Sequence, residues 1–386
     1  MQEAHDLVIR LIAEYLRTNN LALAAMMRVC KRFYGLRDIF IGQLCISSRP
    51  YTKKPPPYGW NKVYSLWIGS NFEVYFPYSA LSSLNTLLCS YQNFPNLIDL
   101  SPFSRLKTLH LRNCGNLIDI SPLAQLHSVS LFYCDNLRDI SALSSVHTLN
   151  IEQCYSVRDY SALGHVNVLI LDHCHIDNLR CLNTVHDLSL INCFVPNQDF
   201  SPLGIGTIHR LKLKHYIDEE QYQGISSLGT IQYLTISCNY LRNEDIVGLG
   251  NVHTLKLTTY RYLNDISPLT GVHDLTLEDC TWVQDFSALC QTHTLTLSNL
   301  GNLSDVSPFR QSHNVTIMDS QKIIDVAPLS EVHTLAFINC HGIRDMTPLS
   351  RVQSLTLDNC SRIVDISPLV SVPHLKIERC VNIKRI

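Results

Sequence analysis

Cysteine is the residue type whose spacing first invites a chemical interpretation. Nine of the fifteen cysteines recur at one position of a period that is mostly 20 residues long. They are Cys114, Cys134, Cys154, Cys174, Cys193, Cys280, Cys340, Cys360 and Cys380. A column of thiolates would suit metal binding or redox exchange, whereas packed protonated thiols would be structural. We favour the structural column, because the repeat spacing sets this geometry without a ligand and the chain has no Cys-x-x-Cys pair. Other repeats place Asn71, Asn239, Tyr260 or Ser320 there.

Nine histidines share a second position, immediately before a predicted strand. They are His127, His147, His186, His209, His253, His273, His293, His313 and His333. Imidazoles stacked ~4.8 Å apart would suit a metal or a pH sensor, since histidine titrates near neutrality. Neighbouring positive charges repel, so such a stack resists full protonation. Lys107, Asn167, Gln232 and Gln353 replace histidine in other repeats. We therefore expect a structural stack, with no catalytic site, metal centre or cofactor.

An internal repeat must position both sets of side chains. Aspartates mark it, mostly 20 residues apart: Asp99, Asp119, Asp139, Asp159, Asp199, Asp245, Asp265, Asp285, Asp305, Asp325, Asp345 and Asp365. The stretch from Val146 to Cys154 matches the leucine-rich-repeat pattern L-x-x-L-x-L-x-x-N/C position by position. Leu149 and Ile151 are two residues apart, so they face one side of a short strand while Thr148 faces the other. Stacked repeats then form a continuous parallel sheet.

Sixteen copies can be counted by the first apolar strand residue. These residues are Leu66, Leu87, Leu109, Val129, Leu149, Leu169, Leu188, Leu211, Leu234, Leu255, Leu275, Leu295, Val315, Leu335, Leu355 and Leu375. Between strands, segments such as Asp265-Ile-Ser-Pro-Leu predict a short helical turn. We expect serine as its N-cap and the aspartate hydrogen-bonded to nearby amides. The period breaks once, near residues 214–224, where we expect an insertion.

The predicted fold is an α/β-type repeat solenoid spanning residues 63–386. It is a leucine-rich-repeat horseshoe with the parallel sheet on the concave side and short turns or 3₁₀ segments on the convex side, because twenty residues leave little room for full helices. Residues 47–62 are rich in proline, with Pro55, Pro56 and Pro57 in succession, and predict an extended linker.

Residues 1–46 do not follow the repeat, and their sequence resembles the F-box. The resemblance rests on Tyr15-Leu16, Leu21-Ala-Leu23-Ala-Ala25, Val29-Cys-Lys-Arg-Phe33 and the trailing Leu36-Arg-Asp. Ala4-His5 stands where the family usually has Leu-Pro. The resemblance implies a small helical domain that docks on the Skp adaptor of a cullin-based (SCF) ubiquitin ligase. The implied adaptor-binding positions are Leu7, Leu11, Ile12, Leu16, Val29, Cys30 and Phe33. The alternative is a helical cap over the open end of the solenoid.

The composition limits the classes of partner that we expect. The chain has 386 residues, of which 46% are hydrophobic, with 31 basic and 33 acidic side chains. With this balance of charges, the sequence shows no basic stripe of the kind that is typical of nucleic-acid binders. We see neither a basic-then-apolar leader nor an apolar run of ~18 residues. We therefore expect a cytoplasmic protein with no nucleic-acid or membrane partner.

The resemblance to the F-box, followed by leucine-rich repeats, implies a non-catalytic substrate-recognition subunit of an SCF-type ligase, whose repeats hold an unknown target protein. Its repeats also resemble those in proteins of large DNA viruses of amoebae. Selectivity should come from outward positions that break the pattern, because aromatic and arginine side chains are common binding anchors. The predicted target-binding residues are Arg112, Phe132, Tyr133, His173, Lys212, Lys214 and Tyr233. The alternative is an interaction scaffold or structural protein unrelated to ubiquitin.

Overall fold

The computed structural model describes residues 43–46, 65–68, 85–89, 100–101, 104–215 and 222–383. The chain divides into two compact units, Met1–Asn167 and Val168–Ile386. The predicted helices of the F-box-like segment and the proline-rich linker lie outside the described residues. So do residues 216–221 of the predicted insertion.

The described residues of the first unit form six short strands. They are β1 (Gln43–Ile46), β2 (Ser65–Ile68), β3 (Thr86–Cys89), β4 (Thr108–Arg112), β5 (Ser128–Phe132) and β6 (Thr148–Glu152). Each strand pairs in parallel with the next one along the chain. The last four residues of the F-box-like segment form strand β1. This strand pairs with β2, and Leu44 lies opposite Leu66.

In the second unit, the residues with described structure form eleven strands with the same parallel pairing. They are β7 (Val168–Asp172), β8 (Asp187–Ile191), β9 (Arg210–His215), β10 (Tyr233–Tyr240), β11 (Thr254–Arg261), β12 (Asp274–Glu278), β13 (Thr294–Ser298), β14 (Asn314–Met318), β15 (Thr334–Ile338), β16 (Ser354–Asp358) and β17 (His374–Glu378). Equivalent residues of consecutive repeats face each other, as Leu275, Leu295 and Val315 do. All sixteen apolar positions counted in the sequence lie within strands.

Short 3₁₀ segments connect the strands on the other side of each repeat. In the first unit they are Ser121–Leu123, Ser141–Ser145 and Ser161–His165. In the second unit they are Leu179–Leu182, Pro196–Gln198, Ser201–Leu203, Ile225–Thr230, Asn243–Ile246, Leu249–Asn251, Ser267–Leu269, Ser287–Gln291, Ser307–Gln311, Ala327–Leu329, Thr347–Leu349 and Ser367–Leu369. No α-helix occurs within the part of the chain that the structure describes. Parallel strands joined by 3₁₀ segments confirm the predicted leucine-rich-repeat solenoid.

The core is built from columns of equivalent side chains. In the repeat that starts at β11, the strand contributes Leu255 and Leu257, and the connection contributes Ile266, Leu269 and Val272, all at most 1% exposed. The neighbouring repeats place similar residues above and below them. One repeat alone would leave this face in water, so burial depends on stacking.

The turn before each 3₁₀ segment is held by the repeat aspartate. Asp119 Oδ1 accepts a hydrogen bond from the Ser121 amide at 2.8 Å, and Asp265 Oδ1 accepts one from the Ser267 amide at 2.9 Å. The predicted N-cap role of serine is wrong. The 3₁₀ segment begins at the serine itself, and the preceding residue, Ile266 in one repeat, makes no side-chain cap. The aspartate carboxylate satisfies the free amide instead.

Three consecutive strands are longer than the rest. Most strands have five residues, whereas β9 has six and β10 and β11 have eight. In ordinary repeats the strand ends at a residue with positive φ, such as Asn299 (φ 52°) or Asn339 (φ 54°). The equivalent residues of the long strands, His215, Cys238 and Thr259, have no positive φ. Without that bend the strand continues, so these three side chains point inward and are at most 7% exposed.

This continuation corrects one sequence assignment. Asn239 was placed in the cysteine column, but it is only half-buried, and Cys238 takes the interior position. Ser320 does occupy the column as expected, at 1% exposure. The missing bend shifts the inward side chain by one residue, because side chains alternate between the two faces of an extended strand.

Candidate functional site

The cysteine column is a structural element. Eight of its nine members are buried, Cys380 is partly exposed, and all are free thiols. Their Sγ atoms donate to main-chain carbonyls, as from Cys193 to Leu171 O at 3.2 Å and from Cys340 to Ile317 O at 3.5 Å. Burial raises the pKa of Cys280 to about 12 and that of Cys340 to about 11. A thiol that stays protonated near neutral pH is neither a good nucleophile nor a good metal ligand.

The histidines form an exposed stack beside the strands. In the first unit, the rings of His127 and His147 stack at 4.5 Å between centroids. In the second unit, five consecutive rings stack at 4.5–4.9 Å. These five are His253, His273, His293, His313 and His333. Tyr233 interrupts the column, lying edge-on to His209 at 5.0 Å. Each Nδ1 in the five-ring stack lies beside a polar atom of the next residue, which fixes the ring orientation.

The long strands create an open depression on the exposed face of the second unit. Its volume is about 410 Å³. The lining residues are Lys212, Lys214, Thr235, Ser237, Cys238, Asn239, Lys256, Thr258 and Glu278. They come from β9, β10, β11 and β12, so four neighbouring repeats contribute.

Charge inside this depression is predominantly positive. Lys256 Nζ lies 2.6 Å from Glu278 Oε1, and Thr258 Oγ1 donates to Glu278 Oε2 at 3.1 Å. Lys212 is exposed and Lys214 is partly exposed on the adjacent strand β9. Three lysines thus face one glutamate within the lining. A surface of this kind attracts negatively charged groups.

The structure brings three predicted target-binding residues together in the first unit. The Arg112 guanidinium lies 6.0 Å from the ring centroid of Phe132 and 5.2 Å from that of Tyr133. All three side chains are partly exposed at the ends of neighbouring strands. Stacking of arginine on aromatic rings holds the group in one orientation, which lowers the entropy lost on binding.

In the second unit the predicted residues fall into separate places. Lys212 and Lys214 line the depression. Tyr233 starts the neighbouring strand, where the Arg210 guanidinium lies over its ring at 5.1 Å. His173 lies apart from them, after β7, with Nδ1 2.6 Å from Asp172 Oδ1. The predicted adaptor-binding residues lie outside the described residues.

Part of this site does not stand out in the sequence. Thr235, Ser237, Lys256 and Glu278 line the depression, yet each looks like an ordinary outward strand residue. The available signal was the 23-residue step from Leu211 to Leu234, which falls at the first long strand. Cys238 was a second signal, because it is a cysteine one position early.

Comparison with solved structures returns leucine-rich-repeat proteins. The complex of TLR13 with ssRNA13 matches with a TM-score of 0.50 and 15% identity, over 82% of this chain and 57% of that one. The internalin InlF of Listeria monocytogenes matches with a TM-score of 0.40 and 20% identity, over 83% of this chain and 87% of that one. The functional domain of InlJ from the same organism, described as including a cysteine ladder, matches with a TM-score of 0.44 and 15% identity, over 72% and 69% of the two chains.

These similarities concern the fold, which is that of leucine-rich-repeat proteins. No family model and no curated protein matches the chain. Among the residues with described structure, no helix combines the length and apolar character needed to cross a membrane.

Proposed function

We propose that this chain is a non-catalytic protein-binding solenoid that holds its target on the exposed face of β9–β12. The observation that carries the proposal is that three adjacent strands continue past the position where other strands end in a bend; in β11 the positive φ comes three residues later, at Tyr262. In β13, β14 and β16 the central outward residue is a threonine, namely Thr296, Thr316 and Thr356. In the long strands that surface becomes a depression with charged walls. A repeat protein gains selectivity where its surface departs from the repeat.

The chemistry of the depression favours an acidic segment of a target protein. Lys212, Lys214 and Lys256 supply the charge, and Glu278 fixes the third lysine by an ion pair. Tyr233 and Arg210, stacked at the start of the same strands, offer an aromatic anchor at the edge of the face. The first-unit cluster of Arg112, Phe132 and Tyr133 is proposed as a second contact area.

A charge-reversal experiment tests this surface. The double variant Lys212→Glu/Lys214→Glu in the full chain should weaken binding of a glutamate-rich peptide by about tenfold or more, with strong dependence on salt. Lys376→Glu is the matched control, since it reverses a lysine at the same central position of β17. Equal binding by all three proteins would refute the proposed surface. Binding of single-stranded RNA in preference to the peptide would replace the protein target by a nucleic acid.

We further propose that the target-binding solenoid serves an SCF-type ubiquitin ligase in the cytoplasm. The support is the resemblance of the amino-terminal segment to the F-box, followed by leucine-rich repeats. The full chain should co-elute with the Skp adaptor in size-exclusion chromatography, and a Val29→Asp/Phe33→Asp variant should not.

A truncation gives the independent comparison. It should remove residues 1–42 and keep Gln43, because β1 pairs with β2 and belongs to the sheet of the first unit. If the adaptor binds neither the full chain nor the truncated chain, the chain is an interaction scaffold and residues 1–42 serve another purpose.

A further inference from the structure

One step of the histidine stack differs from the others. After each of the five stacked histidines, the next residue begins a strand and lies beside the ring. These residues are Thr254, Asp274, Thr294, Asn314 and Thr334. Asp274 is the single carboxylate in this series. Its Oδ1 lies 2.8 Å from His273 Nδ1, and its Oδ2 lies 3.9 Å from the Nδ1 of His253 in the preceding repeat.

We propose that His253, His273 and Asp274 form a zinc-binding site. One ligand atom from each residue lies within 4.8 Å of the other two. Two imidazole nitrogens and one carboxylate oxygen are a ligand set that zinc accepts, with a fourth position left for water. Tetrahedral ligands ~2.0–2.1 Å from zinc are roughly 3.3 Å apart. The observed distances of 2.8 and 3.9 Å end on different oxygens of Asp274, and the two rings stack at 4.7 Å between centroids. Both rings would therefore have to turn toward a common point for the site to form.

Solvent borders these side chains, so a bound zinc ion could turn them by replacing the Nδ1 contacts that orient the rings. The side chains of His253, His273 and Asp274 are 47%, 48% and 32% exposed. Besides its two histidine contacts, Asp274 accepts a hydrogen bond from Thr254 Oγ1 at 3.4 Å. Zinc would replace the proton that His273 Nδ1 shares with the carboxylate, and that proton would leave to solvent. The metal would then link the start of β11 to the start of β12.

The chain contains two close variants of this arrangement. His313 is followed by Asn314, whose neutral amide oxygen lies 3.0 Å from the ring nitrogen. His186 is followed by Asp187, but Arg210 Nη1 lies 3.3 Å from the second oxygen of that carboxylate and competes with a cation for it. Neither variant combines a free carboxylate with two stacked rings, so the geometry points to the site at Asp274.

Titration of the full chain with zinc chloride by calorimetry tests the proposal. We expect one site on the wild type that Asp274→Asn weakens by about tenfold or more, the loss typical for disturbing a metal ligand shell. His253→Gln should act in the same direction. Cobalt should give a tetrahedral visible spectrum in the wild type and lose it in both variants. Magnesium should give no heat, because it prefers oxygen ligands.

A gain-of-site variant provides the matched control. Asn314→Asp places a carboxylate between His293 and His313, so it should raise the zinc stoichiometry by one. Thermal melts without zinc should be nearly the same for all variants, because the changed side chains are partly or fully exposed. Wild type that binds no zinc, or Asp274→Asn that binds it equally well, would overturn the proposal.

Discussion

Replacing Leu295 by alanine tests the division of each strand into an inward and an outward face. Leu295 lies on β13, fully buried, between Leu275 of β12 and Val315 of β14 in the strand register. The change removes three carbon atoms, which at about 0.8 kcal/mol per methylene corresponds to about 2.4 kcal/mol of lost transfer free energy. Rigid neighbouring repeats cannot collapse onto the cavity, so the total loss should be about 2–5 kcal/mol.

Hydrogen exchange measured by mass spectrometry is the suitable assay. Each repeat contacts its neighbours, so the loss should concentrate in β12, β13 and β14 and decay along the solenoid. A loss of about 2 kcal/mol corresponds to a roughly 30-fold fall in the protection of those amides. Urea unfolding alone would average this effect over a long repeat array, where two-state behaviour is not expected.

Thr296→Ala is the matched control. Thr296 is the next residue on the same strand, faces outward and lies half-exposed between Thr276 and Thr316. Its loss should change stability by about 0.5 kcal/mol or less. Equal effects of the two substitutions would refute the assignment of the faces and, with it, the position of the candidate binding surface.

Three further predictions follow from the same contacts. Iodoacetamide at about pH 8 should label exposed Cys290 but not Cys134, whose pKa is raised to about 12 mainly by a hydrogen bond with a neighbouring column thiol; equal labelling in native peptide maps would contradict a buried column. The hydrogen bond from the Ser267 amide holds the pKa of Asp265 below its usual value. That carboxylate therefore stabilises the fold above its unfolded pKa, ~3.9. The stabilisation disappears as the pH falls through the lower pKa of the folded state. The urea midpoint of the wild type should drop between about pH 5 and about pH 3 more than that of Asp265→Asn. An added Cβ at Gly248 would collide with a main-chain carbonyl of the preceding repeat, whereas at Gly301 it meets no atom within 4 Å. Hydrogen exchange of the neighbouring strands should therefore show a loss of about 1–3 kcal/mol for Gly248→Ala and almost none for Gly301→Ala.

The repeat register was predictable because it depends on a local pattern. Alternation of apolar and polar residues places Leu149 and Ile151 on one face, whatever the rest of the chain does. The cysteine and histidine columns follow from the same period, since equivalent residues of stacked parallel strands must lie one strand spacing apart.

The serine N-cap was predicted wrongly because serine and aspartate are both suited to accepting an amide hydrogen bond at this point. Both can accept a hydrogen bond at the start of a helical turn. In this fold the aspartate two residues earlier accepts the hydrogen bond from the serine amide, and the 3₁₀ segment starts at the serine, one position earlier than expected. Such a choice depends on a turn geometry that residue preferences do not specify.

The sequence by itself determined the period, the parallel stacking and the identity of the column residues, because each repeat carries its own folding information. Only the tertiary structure decided where the strands lengthen and which side chains meet across repeats. The backbone conformation at Cys238 must agree with that of His215 and Thr259 on the paired strands. The depression and the meeting of His253, His273 and Asp274 are therefore properties of neighbouring repeats taken together, and no single repeat encodes them.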